Sequence, residues 1–210
     1  MGRKKAFENR PDVILAAADK LFGTKGFAQT NVTDIAKEAG ISKASVYLDF
    51  STKEEILQRV ILRAMNEFNG VMRERLNRPE PSHIAAIHEA VAGMMMAIYH
   101  HSSRHGFRHD SLFLVDIPQV PMKEKDETLW AMYPMVTHAL QQAAGAGEIP
   151  QQPNFERCSH LLLYPLLRIC APPHDPLMIA KDYAPLVDHT LTVMLTGLKH
   201  QVLDVPVYVP

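Results

Sequence analysis

The chain has 210 residues, 47% hydrophobic and 21% charged, with a formal net charge of −1, the make-up of an ordinary soluble protein with material for one large or two small cores. Its longest apolar stretch, Val91 to Tyr99, is far short of the roughly 20 residues that span a bilayer, and the basic start MGRKKAFENR lacks the apolar run of a secretory signal. The two cysteines, Cys158 and Cys170, lie 12 residues apart in one expected helix, about 18 Å along its axis and too far for a disulfide, so a reducing cytoplasm is the expected compartment.

Charge is unevenly spread. Through Arg63 there are 11 Lys and Arg against 8 Asp and Glu, while the remainder carries 11 against 15 together with all 11 histidines. A mildly basic first part on an acidic body suits one end that meets a polyanion, but chance produces such splits too, so a motif must carry that claim.

Residues 1–10 form a basic arm in which Arg3, Lys4, Lys5 and Arg10 outnumber Glu8. Such arms are usually solvated, and beside a DNA-reading element they also follow phosphates or enter a minor groove. Pro11 and Asp12 suit a helix start, and Ile14, Leu15, Ala18, Leu21 and Phe22 recur at helical spacing until Gly26, after which Phe27 can fold back on the core.

The stretch NVTDIAKEAGISKASVYLDF, Asn31 to Phe50, then reads as two short helices joined by a tight turn. Asn31 and Asp34 have capping-box spacing, Val32, Ile35, Ala36 and Ala39 form a stripe, and Gly40 supplies a left-handed stop. Ile41 and Val46 flank a Ser42 cap as a hydrophobic staple, so a second helix starts at once. This is the helix-turn-helix arrangement, whose usual partner is the DNA major groove.

Thr52 and Glu55 then cap a fourth helix whose apolar positions run from Ile56 to Leu76, on the order of 40 Å, before Pro79 and Pro81 end it. It is too long for the small domain alone and is expected to run into a second one. The remainder reads as helix throughout: 83–101, a short 111–117, 123–144 ending in AGAGEIP, 155–170 and 175–200, with a Pro-broken extended tail at 201–210. The expected fold is therefore all-α: a basic arm (1–10), a helix-turn-helix domain (11–52), a larger helical ligand-binding and dimerisation domain (53–200) and the tail.

The order Ile14-Leu15, Ala17-Ala18, Leu21-Phe22, Gly26-Phe27, Val32, Asp34-Ile35-Ala36, Ala39-Gly40, Ile41-Ser42-Lys43, Val46-Tyr47, Phe50 and Lys53-Glu54-Glu55 resembles the TetR family of bacterial transcriptional regulators over roughly residues 7–67. Beyond that the likeness is one of layout: a long connecting helix, a variable helical body, the AAGAGEI break and two last helices that usually dimerise. The resemblance implies a cytoplasmic homodimeric repressor released from a pseudo-palindromic double-stranded operator by a small, mainly apolar effector. It also implies DNA contacts from Thr30 and Thr33 at the second helix, from Ser42, Lys43, Ala44, Ser45, Tyr47 and Leu48 on or before the recognition helix, and from Lys53 at the fourth. Physically, Lys43 suits a guanine edge or a phosphate, Tyr47 a phosphate through its hydroxyl, and Ala44 and Leu48 a thymine methyl. Val46 and Phe50 are assigned to packing. Asp49 departs from the family, which commonly has an aromatic or His there. Either it pairs locally, or it accepts from a cytosine amino group.

In the body, Met94, Met95, Tyr99, Phe113, Trp130, Tyr133 and His138 are the candidate effector contacts, although a Met or apolar stripe at helical spacing is more often plain core. Pro134, Pro165 and Pro185 are expected to break backbone hydrogen bonds and bend their helices. Leu161, Leu162, Leu166, Ile169, Leu186, Thr190, Val193, Met194 and Leu198 are the apolar positions available for a dimer bundle. His100, His101, His105 and His109 include i,i+4 pairs, but Ser102, Ser103 and Gly106 make a poor helix and no Cys or carboxylate completes a ligand set. Solvated loop histidines are expected, with no metal and no cofactor. The rival classes are a non-sensing helical DNA binder or corepressor, and a helical-bundle enzyme. The latter is disfavoured because there is no Glu-x-x-His, no phosphate-binding glycine loop and no nucleophile elbow.

Overall fold

The computed structural model describes residues 9–78, 80–105, 130–169 and 180–202. Among them are eight α-helices and no strand: α1 (Arg10–Lys25), α2 (Val32–Glu38), α3 (Lys43–Asp49), α4 (Lys53–Leu76), α5 (His83–His105), α6 (Met132–Gly145), α7 (Phe155–Ile169) and α8 (Ala180–His200). The expected helix at 111–117, the start of the one at 123–144, the end of the one at 155–170, the link after it, the start of the one at 175–200 and the tail from 203 lie outside the described residues. Two compact units result. The first holds α1 to α3, α4 as far as Asn66 and α5 from His100, and the second holds α4 from Glu67, α5 as far as Tyr99, and α6 to α8.

In the first unit the apolar stripes close over one small core. Ile14, Ala18 and Phe22 of α1, Ile35 and Ala36 of α2, Val46 of α3, Phe50, and Ile56 and Leu57 of α4 are all buried. Gly26 (φ +85°) ends α1, and Phe27 turns back so that its ring lies 5.3 Å from that of Phe22. One polar pair enters this interior: Asp19 of α1, with His101 Nε2 3.6 Å from its Oδ1. The helix that carries His101 differs from the sequence expectation. The polar stretch after His101 was expected to be a link, yet α5 continues to His105. His101 itself is buried, at 5% exposure.

In the second unit α4 and α5 present Phe68, Met72, Ile87, Val91, Met94, Met95 and Ile98 inward. Where the two helices pass close together, Gly93 has no side chain, and a Cβ there would collide with the Arg75 side chain. Each of the last two helices has an inner face, Cys158, Leu162, Leu163 and Leu166 on α7 and Tyr183, Val187, Leu191, Leu195 and Leu198 on α8. Burial pushes the Cys158 thiol above its ordinary pKa. Pro165 and Pro185 lie inside α7 and α8, each removing one helical N–H. Pro134 differs from expectation: it falls in the first turn of α6, where no intrahelical donor is required.

The AGAGEIP break closes the second unit. Gly147 (φ +74°) turns the chain after α6, and Glu148 then caps α5, its two carboxylate oxygens each accepting a backbone N–H at 2.9 Å, from His83 and Ile84. Burial would raise the Glu148 pKa, but the Ile84 and His83 N–H groups outweigh it and the net shift is downward. Glu148→Ala leaves both donors at the start of α5 without their cap. Urea unfolding should show a loss of about 1 kcal/mol, and an unchanged midpoint would refute the capping role.

Candidate nucleic-acid interface

The two helices of the motif are seven residues each, and local hydrogen bonds fix both ends of the turn between them. Asn31 caps α2 with its full capping box: Asp34 N donates to Asn31 Oδ1 at 2.9 Å, and Asn31 N to Asp34 Oδ2 at 3.4 Å. Gly40 (φ +68°) then lets Ile41 N reach back to Ala36 O at 3.0 Å. Ser42 caps α3 by accepting from Ser45 N at 3.0 Å.

This geometry divides α3 into two faces. Val46, with Phe50 just beyond the helix, is buried, whereas Lys43 and Ala44 are exposed, Tyr47 is 48% exposed and Leu48 74%. An exposed leucine at that level, beside a lysine whose Nζ sits 5.9 Å from the Tyr47 ring centroid, makes a surface with apolar and cationic parts. Such a surface can meet base edges and thymine methyls in a major groove. Ser42 and Ser45 are partly committed, their hydroxyls lying 2.8 Å apart.

Three other sequence-named positions are placed differently. Thr33 is exposed at the start of α2. Thr30 is buried at 1% exposure and donates its hydroxyl inward, to Gly26 O at 2.8 Å and Leu21 O at 3.3 Å, which corrects the expectation that this hydroxyl faces a phosphate. Lys53 donates from Nζ to Phe27 O at 2.8 Å and Thr30 O at 3.0 Å. Arg3, Lys4 and Lys5 lie outside the described residues.

Asp49 pairs locally. Arg10, the first residue of α1, grips its carboxylate with two parallel bonds, Nη2 to Oδ1 at 2.7 Å and Nε to Oδ2 at 2.5 Å. The Arg10 hydrogen bond holds the Asp49 carboxyl below its ordinary range, while burial opposes it weakly. Arg10 belongs to this fork as well as to the basic stretch, a role legible only from the 39-residue separation being closed in space.

The candidate effector residues divide. Met94 and Met95 are wholly buried on α5, and Tyr99 stacks on Tyr183 of α8 with centroids 4.4 Å apart. Tyr183, whose hydroxyl donates to Met95 O at 3.4 Å, was not singled out in the sequence, although it heads the 183-187-191-195-198 stripe. Tyr133 lies elsewhere, stacked on His160 at 4.0 Å and 6.0 Å from Trp130, its pKa raised by burial and by nearby Tyr164. His138 is exposed, and Phe113 lies outside the described residues.

The dimer candidates divide by face. Leu162, Leu166 and Leu198 point into the protomer's own core, which corrects their assignment to a dimer seam, because on each helix the inner stripe includes them. Leu161 (44% exposed) and Val193 (61%) point outward, with Leu186, Thr190 and Met194 half-buried beside them and Tyr164, not named from the sequence, at 57%. The Ile169 side chain lies outside the described residues. Among the described residues no three His, Cys, Asp or Glu side chains converge as a metal set, and no described helix is long and apolar enough to cross a membrane.

A helix-turn-helix that exposes its second helix, on an all-helical body, is the architecture of a DNA-binding regulator. Residues 14–60 match the family model described as bacterial regulatory proteins, tetR family. The transcriptional repressor BepR of Brucella suis is 34% identical over 84 residues, 39% of this chain and 40% of that protein, so the match spans well under half of this curated relative. Among solved structures, the fatty acid degradation regulator FadR of Bacillus halodurans superposes with a TM-score of 0.73 at 20% identity, covering 91% of this chain and 97% of its own. FadR of Bacillus subtilis, solved in complex with stearoyl-CoA, gives 0.66 at 18% identity over 89% and 98%. The amino-terminal module, residues 14–60, is thus that of the tetR family of bacterial regulatory proteins.

The Arg10–Asp49 fork also has a pH signature. Because the folded protein lowers the Asp49 pKa, the fork contributes stability above the unfolded carboxylate value of about 3.9 and loses it as pH falls through the lower folded value. Asp49→Asn should therefore be less stable than the wild type at neutral pH, with urea midpoints that converge on acidification below about pH 4. A gap that stays constant with pH would show that the carboxylate charge is not what Arg10 holds.

Proposed function

We propose that the protein is a homodimeric repressor that reads a pseudo-palindromic DNA operator with α3 and leaves it when a small, mainly apolar effector binds the helical body. The observation that carries this reading is the two-faced recognition helix: Val46 and Phe50 anchor it, and Lys43, Ala44, Tyr47 and Leu48 face outward on a seven-residue frame fixed at both ends. With a single cation among those four residues, one copy has little to offer the phosphates, and a twofold pair presenting two recognition helices about 34 Å apart supplies the rest. The outward Leu161, Tyr164 and Val193 on α7 and α8 support such a pair, since solvent-facing aromatic and aliphatic side chains on adjacent last helices suit an isologous seam.

Support for an effector is of two kinds. The interior of the second unit is lined by adaptable methionines, Met72, Met94 and Met95, beside the Tyr99–Tyr183 stack. The similar Bacillus subtilis FadR was solved with stearoyl-CoA, which makes that compound the first probe. The effector need favour the DNA-incompetent state by only a few kcal/mol.

Selection of duplexes from a random pool should return inverted repeats, and light scattering at micromolar concentration should give twice the protomer mass. Val193→Glu, at an outward position, should yield a helical monomer with strongly weakened duplex binding. A monomeric wild type would defeat the scheme. Native mass spectrometry of gently purified protein, followed by duplex release on adding the molecule found or stearoyl-CoA, tests the sensor. Binding indifferent to both would point to a non-sensing DNA protein.

A further inference from the structure

The first residue of α4 carries its positive charge at the helix end where the backbone dipole is least hospitable to a cation. Lys53 resolves this by turning its ammonium onto the link between α1 and α2. Nζ donates to Phe27 O at 2.8 Å and to Thr30 O at 3.0 Å, and it sits 4.1 Å from the centroid of the Phe27 ring. Two carbonyl oxygens and a π face take the place of water around that ammonium.

The link so gripped is itself tightly organised. Thr30 N donates to Phe27 O at 3.3 Å, and the buried Thr30 hydroxyl donates to Gly26 O and Leu21 O. Fixing Thr30 O also fixes the plane of the Thr30–Asn31 peptide, because carbonyl and N–H of one trans peptide are rigidly opposed. The Asn31 N–H is the one that closes the α2 capping box onto Asp34. One ammonium thus connects the first turn of α4 to the residue that starts α2, and through the Gly40 turn to α3.

We propose that Lys53 is a positioning residue for DNA reading and not a phosphate contact: it clamps the α1–α2 link to the start of α4, so that α2 and α3 are held in register with that helix. The proposal rests on the reading that α3 meets DNA, but the clamp itself exists in the free protein and is testable there.

Lys53→Met keeps the length and apolar stem and removes the donors. In the full-length free protein, hydrogen exchange of the Thr30, Asn31, Asp34 and Ile35 amides should accelerate, while exchange in α7 and α8 stays the same. Unchanged exchange in α2 overturns the clamp, whatever the protein does with DNA. On a duplex selected by the wild type, Lys53→Met should bind about tenfold or more weakly, with the slope of log affinity against log salt unchanged. A slope reduced by about 0.9 per protomer would assign Lys53 to a phosphate and overturn the proposal, as would unaltered affinity. Thr30→Val loosens the same link without changing charge. It should reproduce the weaker binding at unchanged slope, which keeps the test decisive if Lys53→Met folds poorly. A wild type that selects no duplex would sink the DNA reading alone and leave the exchange experiment to decide the clamp.

Discussion

A seven-residue helix has almost no stability of its own in water, since nucleation costs more than one or two turns return. The recognition helix must therefore be made by its surroundings, and those surroundings must leave one face untouched. Every strong contact of α3 is accordingly on its inner side or at its ends: Val46 and Phe50 in the core, the Ser42 cap at the start, and Asp49 in the grip of Arg10 at the finish. Asp49 is the sharpest case. A carboxylate at the rim of a DNA-reading surface would repel phosphates, yet paired with Arg10 it becomes a neutral tie between the last turn of α3 and the first residue of α1. The outward face keeps Lys43, Ala44, Tyr47 and Leu48 because nothing inside the protein needs them.

The same division of faces governs the second unit. On α8 the inner stripe 183-187-191-195-198 follows helical spacing, and the outward Leu186, Thr190 and Val193 follow it too, offset by about a third of a turn. One side is covered within the protomer, and the other is the surface on which the dimer reading depends.

Sequence periodicity exposed the helices well because each is amphipathic or apolar over several turns, and caps such as Asn31 and Ser42 are short-range chemistry that needs no fold to be read. Thr52 shows the limit of that chemistry. It does cap α4 through Oγ1, at 3.0 Å from Glu55 N, but the Glu55 carboxylate turns to Ser51 N at 2.7 Å instead of closing the box on Thr52. Which of two apolar faces turns inward is not local information, and so Leu162, Leu166 and Leu198 were assigned to a seam when they are core. Nor is the destination of a long polar side chain. Lys53 and Thr30 lie in the family's DNA-facing positions, but their atoms bond to carbonyls brought near only by folding, just as Arg10 finds Asp49.

Asp19 and His101 make the same point for the body. An aspartate on the apolar stripe of α1 is a poor core residue taken alone, and burying its carboxylate costs several kcal/mol unless it is paired. His101 meets it from the last turns of α5. Met94, Ile98 and His101 are spaced by four and three residues, so they share one face of α5 over about 10 Å. That face packs as methionine and isoleucine within the second unit and ends as an imidazole against Asp19 in the first. The contact that looks least favourable when α1 is read alone is thus met from α5 within the same unit.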